Sequence, residues 1–241
     1  MTSTTAGAAH PHITIEPGIL YRGTPVVLIS TVNDDGSYNL APMSSAFWLG
    51  WRAILGLNAR GKTAQNLLRT RQTVLNLPSA ALVSAVDRLA LTTGSNPVPD
   101  YKHQRGYRYE QDKFGKAGLT PVPSDTVAPP RVAECPIALE GVVEAVHGIA
   151  DDDEEQRGGT LNIEIRVQRV HVHESIRLDG SANRIDPDKW RPLIMSFQNF
   201  YGLGEQLHPS LLASILEDVY RGPDIERSRQ AAGAMRAMNG S

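Results

Sequence analysis

The densest chemical signal is Gly56-Leu57-Asn58-Ala59-Arg60-Gly61-Lys62-Thr63. It fits G-x-x-x-x-G-K-[ST], the spacing of loops that wrap phosphates. An apolar strand pattern precedes it and a helical pattern follows. That order delivers Arg60, Lys62 and Thr63 to a helix N-terminus, where unpaired backbone N–H groups and the positive end of the dipole also lie. The combination is an anion site, most simply for one phosphate, with Asn66 one turn into the helix. A solvated basic turn with a capping Thr is the plain reading of the same residues. The motif by itself would indicate a P-loop nucleotide triphosphatase. Three features oppose that. The preceding elements form a hairpin instead of entering a parallel sheet. The best magnesium carboxylate, Asp87, sits in a helical pattern and not at a strand end. The C-terminal half continues as antiparallel strands. The triphosphatase remains the alternative, and the anion site stands on its own physics.

Other reactive side chains carry weaker signals. His171 and His173 are two apart on a predicted strand and share one face. With only His147 as a third candidate they read as exposed strand histidines, and no metal site is expected. Cys135 precedes a proline with no base marked nearby, so it reads as a packed thiol. Asp151–Glu155 is a solvated acidic loop without calcium-loop spacing. His103, Tyr107 and Tyr109 could cover a substrate or form a surface helix. Phe197, Phe200 and Tyr201 read as core or dimer contacts.

These residues need a scaffold. Pro25–Thr31 is an apolar β-branched run, Asn33–Ser37 a turn with Asp-Gly chemistry, and Tyr38–Pro42 the returning strand. Ala53–Asn58 and Thr73–Leu77 are further strands around a helix over Thr63–Arg71. Ser79–Leu91 is predicted helical, with Leu82, Ala85, Val86 and Leu89 on one face. Residues 93–136, rich in proline, tyrosine and charge, form an ordered excursion. Ile137–Val146 and Leu161–Val167 are strands. The apolar phase slips by one before Val170 and Val172, which predicts a bulge. Ser210–Arg221 is predicted helical and stopped by Gly222-Pro223. The fold class is mainly antiparallel β with flanking helices, a closed or split β-barrel. The organisation is a disordered lead over residues 1–12, one domain over 13–222 and a flexible C-terminal tail over 223–241.

The chain has 241 residues, 24 Lys+Arg against 26 Asp+Glu, and a net charge of −2. Without a basic surplus it is not a nucleic-acid binder. No run of about 18 apolar residues occurs, so no membrane span is expected. One cysteine permits a reducing compartment. Met1–His12 lacks the basic and apolar regions of a secretory leader, and the expected location is cytoplasmic.

Several segments together resemble a known family. Asn39-Leu40-Ala41-Pro42-Met43-Ser44-Ser45-Ala46-Phe47 is followed by Lys62-Thr63 with Asn66, then by Val74-Leu75-Asn76-Leu77. Asp112-Lys113-Phe114, Ala117-Gly118-Leu119-Thr120-Pro121, Glu134-Cys135-Pro136 and Val170-His171-Val172 come next. In order and spacing, over roughly residues 20–175, they are similar to the flavin reductase-like, FMN-binding split-barrel family. The C-terminal third, with Trp190–Leu203, matches less well. Trp48 and Trp51 make the edge after the resembling segment bulkier than usual.

The resemblance implies a homodimer of split barrels, with flavin near the subunit interface and hydride passing from NAD(P)H to FMN, or to FAD, the other flavin considered. It implies that Met43, Ser44, Ser45 and Phe47 contact the ring and that Asn58 lies along the ribityl chain or the phosphate approach. Arg60, Lys62, Thr63 and Asn66 would hold the phosphate. No proton-transfer residue is implied, and the catalytic residues stay unassigned. The substrate would be a small molecule or free flavin, with a partner monooxygenase as one recipient. A non-catalytic flavin binder, or a relative with an empty pocket, is the other reading.

Overall fold

The computed structural model describes residues 11–239, so residues 1–10 of the expected lead lie outside it. Strands β1 (Arg22–Pro25), β2 (Val27–Val32), β3 (Tyr38–Met43), β4 (Ala46–Leu49) and β5 (Arg52–Asn58) are followed by helix α1 (Lys62–Thr70) and β6 (Gln72–Leu77). The long strands β7 (Ile137–Ile149) and β8 (Thr160–Val172) complete a seven-stranded antiparallel sheet in the order β3-β2-β6-β7-β8-β5-β4. Its edges, β3 and β4, are consecutive in the chain. Only Ser44 and Ser45 separate them, yet they form no ladder with each other. The sheet therefore curls until its edges meet and stays open along that seam, which is a split barrel.

The apolar run in β2 is continuous because both of its faces are covered. Val27 and Ile29 face the barrel interior with Leu55, Leu67, Leu75, Ile163 and Ile165. Leu28 packs outside with Leu40, Val86, Leu89, Phe114 and Ala117. The predicted bulge is present: Glu140 pairs with Arg169 and Gly141 with Val167, leaving Gln168 as the extra residue. Gly141 is required there, because a Cβ would lie 2.5 Å from Ile165 Cγ2 and 3.1 Å from the Arg166 carbonyl oxygen.

Three segments differ from their sequence reading. The helix expected over Ser79–Leu91 shortens to a 3-10 turn, Ala80–Leu82, and helix α2 (Val83–Asp87), and Leu91 closes it in the left-handed region at φ 54°. The helix expected over Ser210–Arg221 is absent. That stretch holds two 3-10 turns, Leu211–Ser214 and Glu217–Tyr220, and every residue from 201 to 223 is exposed. Its helical spacing of Leu and Ile finds no surface among the described residues to bury against, and packing, not propensity, is what stabilises such a helix. The predicted flexible tail is instead a helix of 17 residues, Pro223–Asn239. Gly222-Pro223 starts it, since proline's fixed φ suits a first helical turn. The helix is tied down, with Arg52 donating to Asp224 at 2.7 and 3.0 Å and Ser228 bonding the Gln168 carbonyl at the bulge.

The excursion is ordered, as expected. It carries helices α3 (Asp100–His103) and α4 (Lys113–Ala117) and two small ladders, Thr92–Thr93 with Arg108–Tyr109 and Pro121–Val122 with Arg131–Val132. Among the described residues no helix is long and apolar enough to cross a membrane.

Candidate functional site

Strand β5 ends at Asn58, and the turn Ala59–Gly61 leads directly into α1. Asn58 braces the turn: its side-chain oxygen accepts from the Arg60 N–H at 3.0 Å, and its carbonyl accepts from the Gly61 N–H at 3.0 Å. No side chain caps the start of α1, where Gly61 is the N-cap and no acidic residue occupies the first turn. The first N–H groups of α1 therefore lack an intrahelical partner. Gly61, Lys62, Thr63 and Ala64 all line a cavity of about 250 Å³. Only Ala59–Gly61 form the turn, because Gly56, Leu57 and Asn58 stay in β5, paired with β8. The residues of the phosphate-loop pattern thus do not form a loop that could encircle a triphosphate. Asp87 lies on α2, as its helical pattern predicted.

The opposite wall comes from β3 and from the excursion. Ala41, Pro42 and Met43, with Leu57 of β5, give an apolar face, residues 89–92 add to it, and Thr93, Gly94, Tyr101, Lys102, Arg105, Tyr107 and Lys113 complete the lining. That lining holds four cations, Lys62, Lys102, Arg105 and Lys113, and no carboxylate. Asn39 joins the walls, its amide donating to Thr63 Oγ1 at 3.0 Å and to Thr31 Oγ1 at 3.3 Å. Its side-chain oxygen is buried without a partner.

The cations differ in their surroundings. Lys62 Nζ turns to Asp34 in the β2–β3 turn, 2.7 Å away, and Asp34 also pairs with Arg69. These contacts hold the Asp34 carboxyl below its usual range, Lys62 foremost. Lys102 Nζ donates to Thr93 Oγ1 at 3.0 Å and lies 5.8 Å from the Tyr107 ring centre. Lys113 is 3 % exposed and has no hydrogen-bond or ion-pair partner among the described residues. Burial first, and the nearby charge of Lys102 second, push its ammonium down to about 8, opposed only weakly by Glu110.

Of the residues named from the sequence, Met43, Asn58, Lys62 and Thr63 line this cavity. Ser44 and Ser45 form the seam, where the Ser45 carbonyl accepts from the Gly56 N–H at 2.8 Å. Phe47 is half exposed on the edge strand β4, and Arg60 is exposed within the turn, near Tyr101. Asn66 is buried away from the cavity and donates to Thr31 Oγ1 at 3.0 Å and Asn33 Oδ1 at 2.9 Å. It fastens α1 to the hairpin. Trp48 and Trp51 pack against the barrel interior. Of the covering trio, Tyr107 lines the cavity, while His103 and Tyr109 are exposed.

The other reactive groups belong to the scaffold. His171 Nε2 lies 2.7 Å from Glu140, which also accepts from the N–H groups of Asp125 and Thr126 and from Thr126 Oγ1. Burial would raise the Glu140 carboxyl, but these hydrogen bonds outweigh it and hold the group at about 2. Asp125, Glu140 and His171 come close enough to suggest a metal cluster, yet the oxygens of Glu140 are already engaged in fastening the excursion to β7. His173 Nε2 bonds the Ala133 carbonyl at 2.9 Å. Burial pushes the Cys135 thiol well above its ordinary value, as a packed, unreactive cysteine requires.

Residues 21–204 match the flavin reductase-like domain family, which is most of the chain. The chain belongs to that family. This chain is 39 % identical over 193 residues to YdfE, an uncharacterised protein of Bacillus subtilis (strain 168). That match covers 80 % of this chain and 90 % of YdfE. The fold is also that of flavoredoxin from Desulfovibrio vulgaris (Miyazaki F), with a TM-score of 0.65, 24 % identity, and coverage of 84 % of this chain and 100 % of the other. Nitrilotriacetate monooxygenase component B from Bacillus cereus gives a TM-score of 0.65 at 22 % identity, covering 83 % and 100 %.

A flavin suits this lining. Apolar residues of β3 and β5 form one wall, the cationic lining and the uncapped start of α1 suit a phosphate, and the orphaned Asn39 oxygen offers an acceptor to a ribityl hydroxyl.

Proposed function

We propose that the protein is an FMN-dependent oxidoreductase of the flavin reductase type, taking hydride from NADH or NADPH. The observation that carries this reading is the cavity whose lining combines four cations, no carboxylate and an uncapped helix start, in a chain of the flavin reductase-like family. When bound, the flavin would supply a ring able to accept hydride from a reduced nicotinamide and to pass electrons onward. The chain's own work is orientation. The N–H groups at the start of α1 and the lining lysines would hold the phosphate end. Asn58 keeps the turn rigid, and Asn39 keeps Thr63 in place. Ala41, Pro42, Met43 and Leu57 exclude water from the ring side, while Tyr101 and Tyr107 narrow the mouth.

We further propose a homodimer. A single chain's cavity of about 250 Å³ falls below the usual ligand-pocket range of about 300–1,000 Å³, so a second copy would complete it. The electrons would pass to a small molecule or to free flavin, and a separate monooxygenase is a natural recipient, since one structural relative is component B of a nitrilotriacetate monooxygenase.

Purified protein incubated with FMN is expected to retain it through gel filtration with a flavin absorption spectrum, and NADH or NADPH is expected to bleach that spectrum anaerobically. Retention without bleaching would identify a carrier. Failure to retain any flavin would overturn the reading.

A further inference from the structure

We propose that Lys113, supplied by the 93–136 excursion, is the principal cation for the flavin phosphate, and that the motif lysine, Lys62, is a secondary one. The inference rests on the flavin reading above and assigns a residue that the phosphate-loop pattern does not contain. Lys62 has a counter-ion already: its ammonium meets Asp34 at 2.7 Å, and Asp34 is largely exposed to solvent. An ion pair of that kind contributes little, and an arriving phosphate would have to compete with it. Lys113 is the reverse case. Its side chain is buried, lines the same cavity, and meets neither a carboxylate nor a hydrogen-bond acceptor among the described residues.

A lysine side chain buried this far with no counter-ion beside it costs folding free energy, and proteins rarely keep one without a use. Lys113 is held there by local structure. Asp112 caps α4, its carboxylate accepting from the Gly115 N–H at 2.8 Å. Phe114 and Ala117 bury the rest of that short helix against Leu40 and Leu89, and Phe114 meets the Tyr38 ring edge-on at 6.4 Å. The charges facing Lys113 are Lys102 and Glu110 of the excursion, with Lys62 and Arg105 elsewhere in the lining. Three of these four are positive.

The excursion and α1 address one space. Thr93 holds Lys102, and a Cβ on Gly94 would fall 2.8 Å from Asn39 Oδ1 and 3.3 Å from Lys62 Cγ. Asn39 in turn holds Thr63 at the start of α1. A phosphate monoester, close to doubly charged at neutral pH, brings what that corner lacks. Helix N–H groups would approach it from one side and the lysine pair Lys102 and Lys113 from the other.

The test compares wild type, Lys113→Met, Lys113→Arg and Lys62→Ala, each stripped of ligand. FMN and riboflavin are titrated separately, with quenching of flavin fluorescence as the readout, and the ligand-free proteins are melted. Wild type is expected to prefer FMN over riboflavin. Lys113→Met should cut that preference by ~10-fold or more, as loss of a charge-assisted hydrogen bond implies, with riboflavin affinity unchanged. Lys113→Arg should restore most of the preference, and Lys62→Ala should cost at most ~5-fold. Ligand-free Lys113→Met should melt above wild type, because the uncompensated charge is gone.

Retention of the wild-type preference by Lys113→Met, or a larger loss in Lys62→Ala, would overturn the proposal. Equal wild-type affinity for FMN and riboflavin would also overturn it while leaving flavin binding intact. Wild type that binds neither ligand would remove the functional reading itself.

Discussion

Glu140 is the buried acid on which the excursion hangs. Its two oxygens satisfy the Asp125 and Thr126 N–H groups, the Thr126 hydroxyl and the His171 ring. Its carboxyl sits at about 2, against 4.5 for a free glutamate. The folded-state value is the lower one, so this stabilisation is complete above about pH 4.5 and is lost as pH falls towards 2. It amounts to roughly 3 kcal/mol at neutral pH. Glu140→Gln is expected to lower the melting temperature at pH 7, and the gap from wild type should narrow steadily in melts taken between pH 4.5 and 2.5. A gap independent of pH would place the effect in packing instead of charge. Lys113 titrates in the opposite sense. Its ammonium is displaced downwards to about 8, so its burial penalty is full below that pH and relieved as pH rises towards 10.5. In the ligand-free protein the destabilisation attributable to Lys113, read as the difference from Lys113→Met, should therefore shrink between pH 8 and 10. At this scale the sequence revealed Lys62 and Thr63 through their spacing, but not Lys113. The signal was present: Asp112 is a helix-capping residue, which puts Lys113 in a first turn beside the inward-facing Phe114. A lysine's burial, however, depends on what the remote β3 strand brings over it, and local pattern does not carry that.

Among the elements, the C-terminal helix α5 (Pro223–Asn239) is fastened to the barrel through Asp224 and Ser228 in its first two turns. Arg52 grips Asp224 with two nitrogens and reaches Glu164 at 2.8 Å with a third. Asp224→Ala is expected to free the helix, seen as faster amide hydrogen exchange over residues 223–231 with β2, β6 and β7 unchanged, at a cost of about 1 kcal/mol for a partly exposed bidentate pair. Exchange rising across the whole sheet would instead make α5 part of the cooperative core. The strands were legible because the sheet's inner face imposes a period of two, and the slip before Val170 marked the bulge at Gln168 for the same reason. Residues 210–221 misled because Leu211, Leu212, Ile215, Leu216 and Val219 carry helical spacing. Spacing describes which residues would share a face and is silent on whether any surface exists to receive it. Pro223 misled in turn, since a proline after glycine ends one helix or begins the next.

For the whole molecule, the stretch between the barrel and α5 is the feature that a lone chain leaves unresolved. Leu207 is 98 % exposed, Leu211 91 %, Leu216 77 % and Val219 73 %. Side chains of that kind seek cover, and the proposed dimer offers it. Light scattering is expected to give twice the chain mass, and Leu211→Glu with Leu216→Glu should shift the protein towards the single-chain mass. A dimer unmoved by both charges would locate the contact elsewhere. An antiparallel barrel, closed or split, was readable from the hairpin rhythm, and the split form came only from the family resemblance. The seam at Ser44-Ser45 was not readable, because it consists of a missing ladder between two edges that lie side by side.

Burying the Lys113 side chain with no counter-ion paired to it has a cost borne by the empty form. Newly made chains lacking their vitamin-derived ligand would then be the ones opened and cleared first by cellular proteases. Abundance of this protein would accordingly follow riboflavin supply, falling in starved cultures without any change in transcription.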